Sequence, residues 1–357
     1  MIWLWICFLC LVFVILALDL GIFHRNAHVV SFREAMGWSF VWITLGLSFT
    51  VFIYYAYELK WFGIGLSPDV VDGVVNSGRA AALKYLTGYV VEKSLSVDNI
   101  FVIAMIFSFF GVPQLYQHRV LYWGILGALV LRGGMIVLGA GLIAQFNWIM
   151  YVFGVFLIIT GIKMFFIDTD ESDLNNNFVI RLIRRFVPVT ERYHGQHFLV
   201  KAGSKASKRA PVKGGTALRD KVVERAKKGA LLVTPLGLAL VMIETTDLIF
   251  AVDSIPAIFA ITADPFIVFT SNVFAILGLR SLYFALAGMM DKFRYLKVSL
   301  ACILTLVGAK MLVAEWLKEQ LGEHFGLYLL GMIVLILALG VIFSLIIEEE
   351  KDLSETE

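Results

Sequence analysis

Nine apolar segments of about 20 residues follow one another along the chain and limit its fold more than any other feature. A helix of that length crosses the hydrocarbon core of a bilayer once. Hydrophobic residues make up 59% of the 357 residues and charged residues 16%, which excludes an ordinary soluble domain, where about a quarter are charged. The sequence therefore predicts an all-α polytopic membrane protein with one transmembrane domain over residues 1–357. The predicted spans are 2–20, 35–58, 86–110, 120–143, 148–167, 230–261, 266–289, 296–316 and 325–347.

Lys and Arg are distributed unevenly between the predicted loops. If the longest loop, 168–229, is cytoplasmic, twenty-one of the 30 Lys and Arg residues fall on the cytoplasmic side and four on the opposite side. Cytoplasmic loops of membrane proteins are enriched in these residues. We therefore expect a multi-pass protein of the bacterial cytoplasmic membrane, with its N-terminus outside and its acidic tail, 348–357, in the cytoplasm.

Two other features of the sequence, the long loop and a pair of cysteines, each allow an ordinary structural interpretation and a more specific functional one. The loop 168–229 is basic and contains a stretch with the composition of a flexible linker, so it is a topology determinant or, alternatively, a regulatory or lipid-binding segment. The linker-like stretch, 201–215, has no aromatic residues between its basic ones, and nucleic acid is not expected as a partner. Cys7 and Cys10 resemble a redox pair, but their place in an apolar run favours ordinary helix residues.

A charged pattern recurs in the third and sixth spans. Each contains an acid, five further residues, and then Asp, Asn or Ser, and Ile. An Arg follows in the next span of each copy and a Lys in the span after that. The corresponding residues are Glu92, Asp98, Asn99, Arg132 and Lys163 in the first copy, and Asp247, Asp253, Ser254, Arg280 and Lys310 in the second. The sequence therefore predicts two repeats, 86–167 and 230–316.

Each repeat has three spans, so the second must enter the membrane in the opposite orientation to the first. Inverted-topology repeats are typical of secondary transporters, whose substrate site lies near the membrane midplane where the repeats meet. Pro256 lacks an N–H and frees the carbonyl of Val252, so a kink or unwound turn is expected beside Asp253. Without one, acids six positions apart on a helix point about 240° apart.

Five carboxylates lie on the first helices of the two repeats and are expected to converge. Each would cost about 2.5 to 3.5 kcal/mol if charged and unpaired at the membrane centre, so they must be paired, protonated or bound to cations. A purely structural alternative pairs them with the five Lys and Arg residues of the spans. We favour a cation site, because the acids collect on the first helices and most of the cations on the others. Its predicted ligands are Glu92, Asp98, Asn99, Glu244, Asp247, Asp253 and Ser254.

The predicted ligands contain oxygen donors and no His or Cys, which favours Mn²⁺, Mg²⁺ or Ca²⁺ over Zn²⁺ or Cu⁺. The sequence has no ATP-binding motif, so uphill transport would need another coupling, and exchange for H⁺ is the simplest. We expect no enzymatic activity and no prosthetic group. The sequence does not distinguish Mn²⁺ from Ca²⁺. A channel that uses the same acids, and a metal-binding sensor or assembly partner without transport, remain alternatives.

A long stretch that begins at Glu244 and runs through Asp253, Pro256 and Arg280 to Tyr283 resembles the TerC family of bacterial integral membrane proteins, in particular its Alx-like branch. The first-half motif around Glu92 resembles that family too, and the resemblance covers nearly the whole chain. It departs at about 202–228, where this chain has a longer basic insertion. The resemblance implies Mn²⁺ export from the cytoplasm, within the wider lysine-exporter-like superfamily, with the acids of the two motifs carrying the ion.

Overall fold

The computed structural model describes residues 2–18, 30–146, 148–166, 188–204, 222–223, 226–227, 229–286, 295–313 and 325–354. These residues are almost entirely helical, apart from two strands of three residues each. The helices are α1 (Ile2–Leu18), α2 (Phe32–Glu58), α3 (Gly78–Phe110), α4 (Gln114–Gln145), α5 (Ile149–Phe166), α6 (Pro235–Phe259), α7 (Pro265–Leu277), α8 (Leu279–Leu286), α9 (Leu296–Leu312) and α10 (Phe325–Ser354). The strands are β1 (Leu199–Lys201) and β2 (Leu231–Val233).

The all-α polytopic fold predicted from hydropathy is confirmed. Among the described residues, α2, α4, α6, α10 and the α7–α8 segment are long and apolar enough to cross a bilayer, and α1, α5 and α9 are shorter apolar helices. Hydropathy missed the polar first turns of two helices, because α3 begins at Gly78 and α4 at Gln114, several residues before the predicted spans. The fold is therefore that of a multi-pass membrane protein.

Side-chain caps explain where several of these helices begin. Ser77 precedes α3 and its hydroxyl accepts the Ala80 N–H at 3.3 Å, while Thr234 precedes α6 and accepts the Gly237 N–H at 3.2 Å. Asp264 precedes α7 and accepts two backbone N–H groups of the first turn. Each cap satisfies a donor that a helix N-terminus leaves without a partner.

Of the kink or unwound turn expected beside Asp253, the unwound turn is not observed. α6 is helical from Pro235 to Phe259, with Pro256 inside it. Pro256 lies in the last turn, so the helix ends a few residues after the bond that Pro256 cannot donate, and the chain turns through 260–264 into α7.

The helix break lies instead in the seventh predicted span, which is divided between α7 and α8 at Gly278. A Cβ at this position would lie 2.8 Å from Nζ of Lys93 and 2.9 Å from Cβ of Trp42. Gly278 therefore allows α2 and α3 to approach the break more closely than any other residue would.

The helices of each predicted repeat pack on helices of the other repeat, in pairs that correspond between the repeats. α3 packs on α6, α3 on α7, and α4 on α6, which pairs the first helix of each repeat with the first and second helices of the other. The most extensive contact joins the third helices, α5 and α9, where a Cβ at Gly308 would lie 2.7 Å from the carbonyl oxygen of Gly154. These contacts have the reciprocity expected of helices related by a two-fold axis.

Parts of the long basic loop form a small unit beside the helices. β1 pairs antiparallel with β2, with Val200 opposite Leu232, and both of these side chains are buried. The rest of that loop, including the linker-like stretch from 205 to 221, lies outside the described residues. In the acidic tail, residues 348–354 continue the helix of α10.

Candidate functional site

Arg132 on α4 is the centre of a buried polar cluster between α3, α4 and α6. Its side chain is 2% exposed. Nη2 donates to Oδ1 of Asp247 at 2.8 Å and Nε donates to Oδ2 at 3.1 Å, so the guanidinium binds this carboxylate through two parallel bonds. Nη1 donates to the carboxylate of Glu92, which is fully buried on α3. One arginine thus joins the corresponding acids of the two predicted repeats.

Two neutral side chains complete the surroundings of Arg132. Nη1 lies 3.4 Å from Oγ of Ser254 and 3.5 Å from Oδ1 of Asn272. Ser254 belongs to the predicted ligand set, but Asn272 on α7 was not predicted. An amide in the middle of a predicted membrane span is the signal that could have identified it.

Asp253 does not join the Arg132 cluster. It accepts a hydrogen bond from Oγ1 of Thr160 on α5 at 3.3 Å, whereas the adjacent Ser254 faces Arg132. Asp253 therefore does not converge with Glu92 and Asp247 in this structure. Because α6 stays helical past Asp253, this residue and Asp247 point to different sides of the helix.

Glu244 lies one turn before Asp247 on α6 and packs against α4, and no ion pair joins it to a cation within the described part of the chain. A Cβ at Gly127 would overlap the Glu244 carboxylate, so only glycine leaves room for it. Oε2 of Glu244 is buried and has no hydrogen-bond partner among the described residues, and the same is true of Oε2 of Glu92. Both acids therefore have oxygen lone pairs to offer.

A small cavity lies next to Asp247, and Arg132 is not among the residues that line it. Its volume is about 20 Å³, which is room for one water-sized particle. The polar residues that line it are Asn99, Thr246, Asp247 and Arg280. Asp247 thus contacts the Arg132 cluster and the cavity at once. Asn99 on α3 reaches this cavity, while the side chain of the neighbouring Asp98 lies outside the described part of the structure.

No three His, Cys, Asp or Glu side chains of the described residues come together as a metal site. The carboxylates of Glu92 and Asp247 bind the Arg132 guanidinium, so in this arrangement an arginine holds the acids predicted to hold a cation. Of the seven predicted ligands, five therefore divide between the arginine cluster, the cavity and the contact with Thr160, while Glu244 packs on Gly127 and the side chain of Asp98 is outside the described part of the structure. The complete metal site stays a prediction.

The lysines of the spans behave differently from Arg132. Nζ of Lys93 donates to the carbonyl oxygen of Ala275 at 3.1 Å, and Nζ of Lys310 donates to that of Ala260. Lys163 on α5 is exposed. The structural alternative, in which all the cations pair with the acids, is thus realised at Arg132, whereas Lys93 and Lys310 contact the carbonyls of helix ends.

A second polar cluster, which was not predicted, lies at the other end of α3. Nζ of Lys84 is surrounded by three oxygens, those of Asp69 at 2.8 Å, Asp72 at 2.7 Å and Asn76 at 2.7 Å. The three oxygen ligands lie in the loop 59–77, which therefore folds back onto the first helix of the first repeat. The Asp, Gly, Asn and Ser residues of that loop are typical of turns, but the sequence does not indicate which residue the three oxygen ligands contact.

Asp69 also binds the turn between α6 and α7 in the second repeat. It accepts hydrogen bonds from Oγ1 of Thr262 and from the N–H of Ala263, the latter at 3.0 Å. Burial of Asp69 raises its pKa, but the ammonium of Lys84 and these two donors outweigh burial and hold the pKa below its usual value. An ionised Asp69 thus connects both repeats at the end of the molecule opposite the basic loop.

Comparison with known proteins agrees with this architecture. Residues 77–352 match the model of the integral membrane protein TerC family. A membrane protein of Myxococcus xanthus is 47% identical over 88% of this chain and 85% of its own. No solved structure matches the chain.

Two further relatives have names that describe a proposed membrane-bound redox modulator, Alx. The one from Photorhabdus laumondii is 41% identical over 98% of this chain and 96% of its own. The one from Escherichia coli K12 is 42% identical over 93% of each chain. Because the family model matches most of the chain and the relatives are this similar, the chain belongs to the TerC family of integral membrane proteins.

Proposed function

We propose that the protein exports divalent cations, chiefly Mn²⁺, from the bacterial cytoplasm by alternating access. The observation that carries this proposal is the position of Asp247, which binds Arg132 and also lines a cavity that Arg132 does not line. A carboxylate in that position can exchange one cationic partner for another. A cation entering the cavity would meet the oxygens of Asp247, Asn99 and Thr246, the donor type that hard divalent cations prefer.

The ion pairs of Arg132 would explain how charged acids are tolerated inside the membrane when no transported cation is bound. Acids inside a membrane are costly unless they are paired, and Arg132 pairs both Glu92 and Asp247. Removing a buried partner costs about 3 to 5 kcal/mol if nothing replaces it. A divalent cation would replace it, so binding of cargo and release of Arg132 would be two parts of one event.

The cavity and the Asp69 cluster lie towards opposite ends of the molecule, and this arrangement supports a transport cycle. If the basic loop is cytoplasmic, the cavity lies in the cytoplasmic halves of α3, α4 and α6. The cluster of Asp69, Lys84 and Thr262 then closes the opposite side. This arrangement fits a state that takes up its substrate from the cytoplasm, with the N-terminus of the protein outside and its C-terminus inside.

Glu244 is our candidate for the proton-carrying group. Its carboxylate packs on Gly127 and has an oxygen without a hydrogen-bond partner among the described residues. A carboxylate in such surroundings binds a proton more readily than one that is paired with a cation. Exchange of Mn²⁺ for H⁺ would then need no nucleotide.

The experiment that tests the proposal measures Mn²⁺ flux in proteoliposomes with and without a pH gradient. We expect flux that follows the gradient in the wild type and falls at least about tenfold in Asp247→Asn, since one lost charge-assisted bond corresponds to about 1.5 to 3 kcal/mol. Glu350→Gln, a change in the helical tail beyond the apolar part of α10, is the matched control and should transport like the wild type. Equal flux in Asp247→Asn would remove that residue from the site.

Competition and binding measurements separate the alternatives. If Ca²⁺ competes better than Mn²⁺, the protein is a calcium exporter, and if flux ignores the pH gradient, it is a channel. Binding without flux would indicate a sensor or assembly partner. The redox role in the names of two relatives would need thiols near the site, but Cys7 and Cys10 are exposed free cysteines on α1, which packs on α7 through Trp5 and Phe8.

A further inference from the structure

The Nη1 nitrogen of Arg132 is surrounded by oxygen atoms from three other helices. It donates to the carboxylate of Glu92 on α3, and it lies 3.4 Å from Oγ of Ser254 on α6 and 3.5 Å from Oδ1 of Asn272 on α7. Carboxylate, hydroxyl and amide oxygens are the donors that hard divalent cations prefer. A guanidinium nitrogen therefore lies at the centre of a set of oxygens of the kind that binds such a metal ion.

Two side chains of this set have binding capacity that the protein does not use. Glu92 is fully buried, and Asn272 is 1% exposed. Oε2 of Glu92 and Nδ2 of Asn272 are buried, and neither has a hydrogen-bond partner within the described part of the chain. A buried polar atom without a partner destabilises a protein. Packing alone therefore explains these two side chains poorly, and a ligand would explain them better.

The charges of the cluster match a divalent cation. Arg132 supplies one positive charge to two carboxylates, those of Glu92 and Asp247. Without it, two negative charges remain when both acids are ionised, and one divalent cation neutralises two. The oxygens of Ser254 and Asn272 would have to approach by about 1 Å to reach the distances of about 2.0 to 2.6 Å typical of hard cations. Such an ion would thus draw α6 and α7 towards α3.

The cavity beside Asp247 is the counterpart of this cluster in the repeat pattern. Three of its lining residues hold the places that correspond to those of Arg132, Glu92 and Ser254 in the other repeat. They are, in the same order, Arg280, Asp247 and Asn99. Inverted repeats place equivalent residues on the two sides of a shared site. The cluster and the cavity are therefore two versions of one arrangement.

The two versions differ at one further position. Asn272 lies eight residues before Arg280, and the residue eight before Arg132 is Gly124, which lines the cavity. Glycine has no side chain, so the cavity has open space at the place where an amide is present in the cluster. Asn272 thus distinguishes the cluster from the cavity by a ligand as well as by its arginine.

We propose that Glu92, Ser254 and Asn272 form a second position for a hard divalent cation, equivalent to the cavity, which the guanidinium of Arg132 fills in this state. Asn272 is the ligand specific to this position, since its counterpart at the cavity is a glycine. This second position rests on the proposed function, because its cation is the transported one, but its occupancy can be measured without transport.

Replacing the guanidinium should allow a cation to take its place. The unfolding midpoint of Arg132→Met is measured in detergent with and without Mn²⁺, and we expect Mn²⁺ to raise it several-fold more than it raises that of the wild type. Adding Asn272→Ala should weaken the apparent Mn²⁺ affinity of this variant at least about tenfold, because loss of an outer-shell partner alone costs about 10- to 100-fold. Adding Asn99→Ala instead, the same change at the cavity, should keep the stabilisation.

Three results of this comparison would overturn the proposal. The first is an Arg132→Met protein that Mn²⁺ stabilises no more than the wild type. The second is equal stabilisation with and without Asn272→Ala, since Asn272 would then not be a ligand. The third is loss of the stabilisation in the variant with Asn99→Ala but not in the one with Asn272→Ala, because the cation would then lie in the cavity.

A second measurement keeps Arg132 and so does not depend on the stability of its variants. Asn272→Cys is prepared in a background where the three native cysteines are replaced by alanine, and it is titrated with Cd²⁺, a soft cation that binds thiolates. We expect a thiolate-to-cadmium charge-transfer band in the ultraviolet that Mn²⁺ suppresses by competition. Thr87→Cys, at another buried position of α3, should show no such band. Absence of the band in Asn272→Cys, or a band that Mn²⁺ leaves unchanged, would contradict the proposal.

The binding measurements separate the second position from the proposed function. If the wild type moves no Mn²⁺ although Mn²⁺ stabilises Arg132→Met through Asn272, the transport proposal fails and the cation position stands. If Mn²⁺ flux follows the pH gradient but neither binding measurement depends on residue 272, the transport proposal stands and the Arg132 cluster is structural.

Discussion

Arg132 and Arg280 hold corresponding places in the two predicted repeats, yet their surroundings differ. Arg132 lies on the unbroken α4 and binds the carboxylates of Glu92 and Asp247. Arg280 lies on the short α8, two residues after a helix break, and lines the cavity. The arginine of the motif thus pairs with two carboxylates in the first repeat and lines a cavity in the second.

The third helices differ in the same way. Lys163 on α5 is exposed, whereas Lys310 on α9 is buried and donates to a carbonyl at the end of α6. Alternating access by inverted repeats requires the two copies to adopt different conformations in any one state and to exchange them during the cycle. Under the proposed function, the differences between the repeats would describe one state of the cycle, and three predictions test the comparison.

The largest expected effect is that of Arg132→Met on stability. It leaves two buried carboxylates without their cation, and breaking such a pair costs about 3 to 5 kcal/mol of unfolding free energy. Thermal unfolding in detergent should show a much lower midpoint for this variant than for Lys163→Met, which removes an exposed cation from the same repeat. Equal losses in the two variants would mean that the buried ion pairs of Arg132 are not the cause.

A smaller effect is expected for Gly127→Ala, which tests whether α4 is shaped around Glu244. The added Cβ would overlap the Glu244 carboxylate, and overpacking of this kind costs about 1 to 3 kcal/mol. Gly124→Ala, one turn earlier, is the matched control, because its Cβ would lie at an ordinary 3.4 Å from Ile243. Unfolding midpoints of the two variants should differ clearly. A Gly124→Ala protein as unstable as Gly127→Ala would show that the carboxylate is not the cause.

The smallest effect is the pH dependence of the cluster at Asp69. Its folded-state pKa is lowered, so its stabilisation is complete above the unfolded pKa of about 3.9 and is lost as the pH falls through the folded value. The difference in unfolding midpoint between the wild type and Asp69→Asn should therefore be constant at neutral pH and shrink below about pH 4. A difference that persists unchanged at lower pH would assign the effect to packing.

The helices could be predicted from sequence because each span is long and apolar, and the bounds of α5 and the start of α10 follow the hydropathy closely. The repeat pattern also identified Arg132 as a candidate counter-ion. The break at Gly278 was not predictable, since glycine is frequent in these spans and the cause of this break is a contact with Lys93 and Trp42 on other helices.

The candidate site was predictable in its residue types and only partly in its geometry. The repeated motif identified the acids. Which of them bind Arg132 depends on α6 being a regular helix, whereas the sequence suggested an interruption in that helix. The contact of Asp69 with Thr262 joins residues 193 positions apart, and no local pattern indicates such a pair. Long-range polar contacts decide which acids are paired, and they follow from tertiary packing.

The backbone contact of Gly154 with Gly308 limits the movements open to the molecule. Neither position has room for a side chain, so α5 and α9 meet backbone to backbone along the most extensive helix contact of the protein. Sliding these helices past one another would press the next side chains into the opposing backbone. The halves can therefore turn about this line far more easily than they can separate along it, which makes the glycine pair the pivot of any rocking motion.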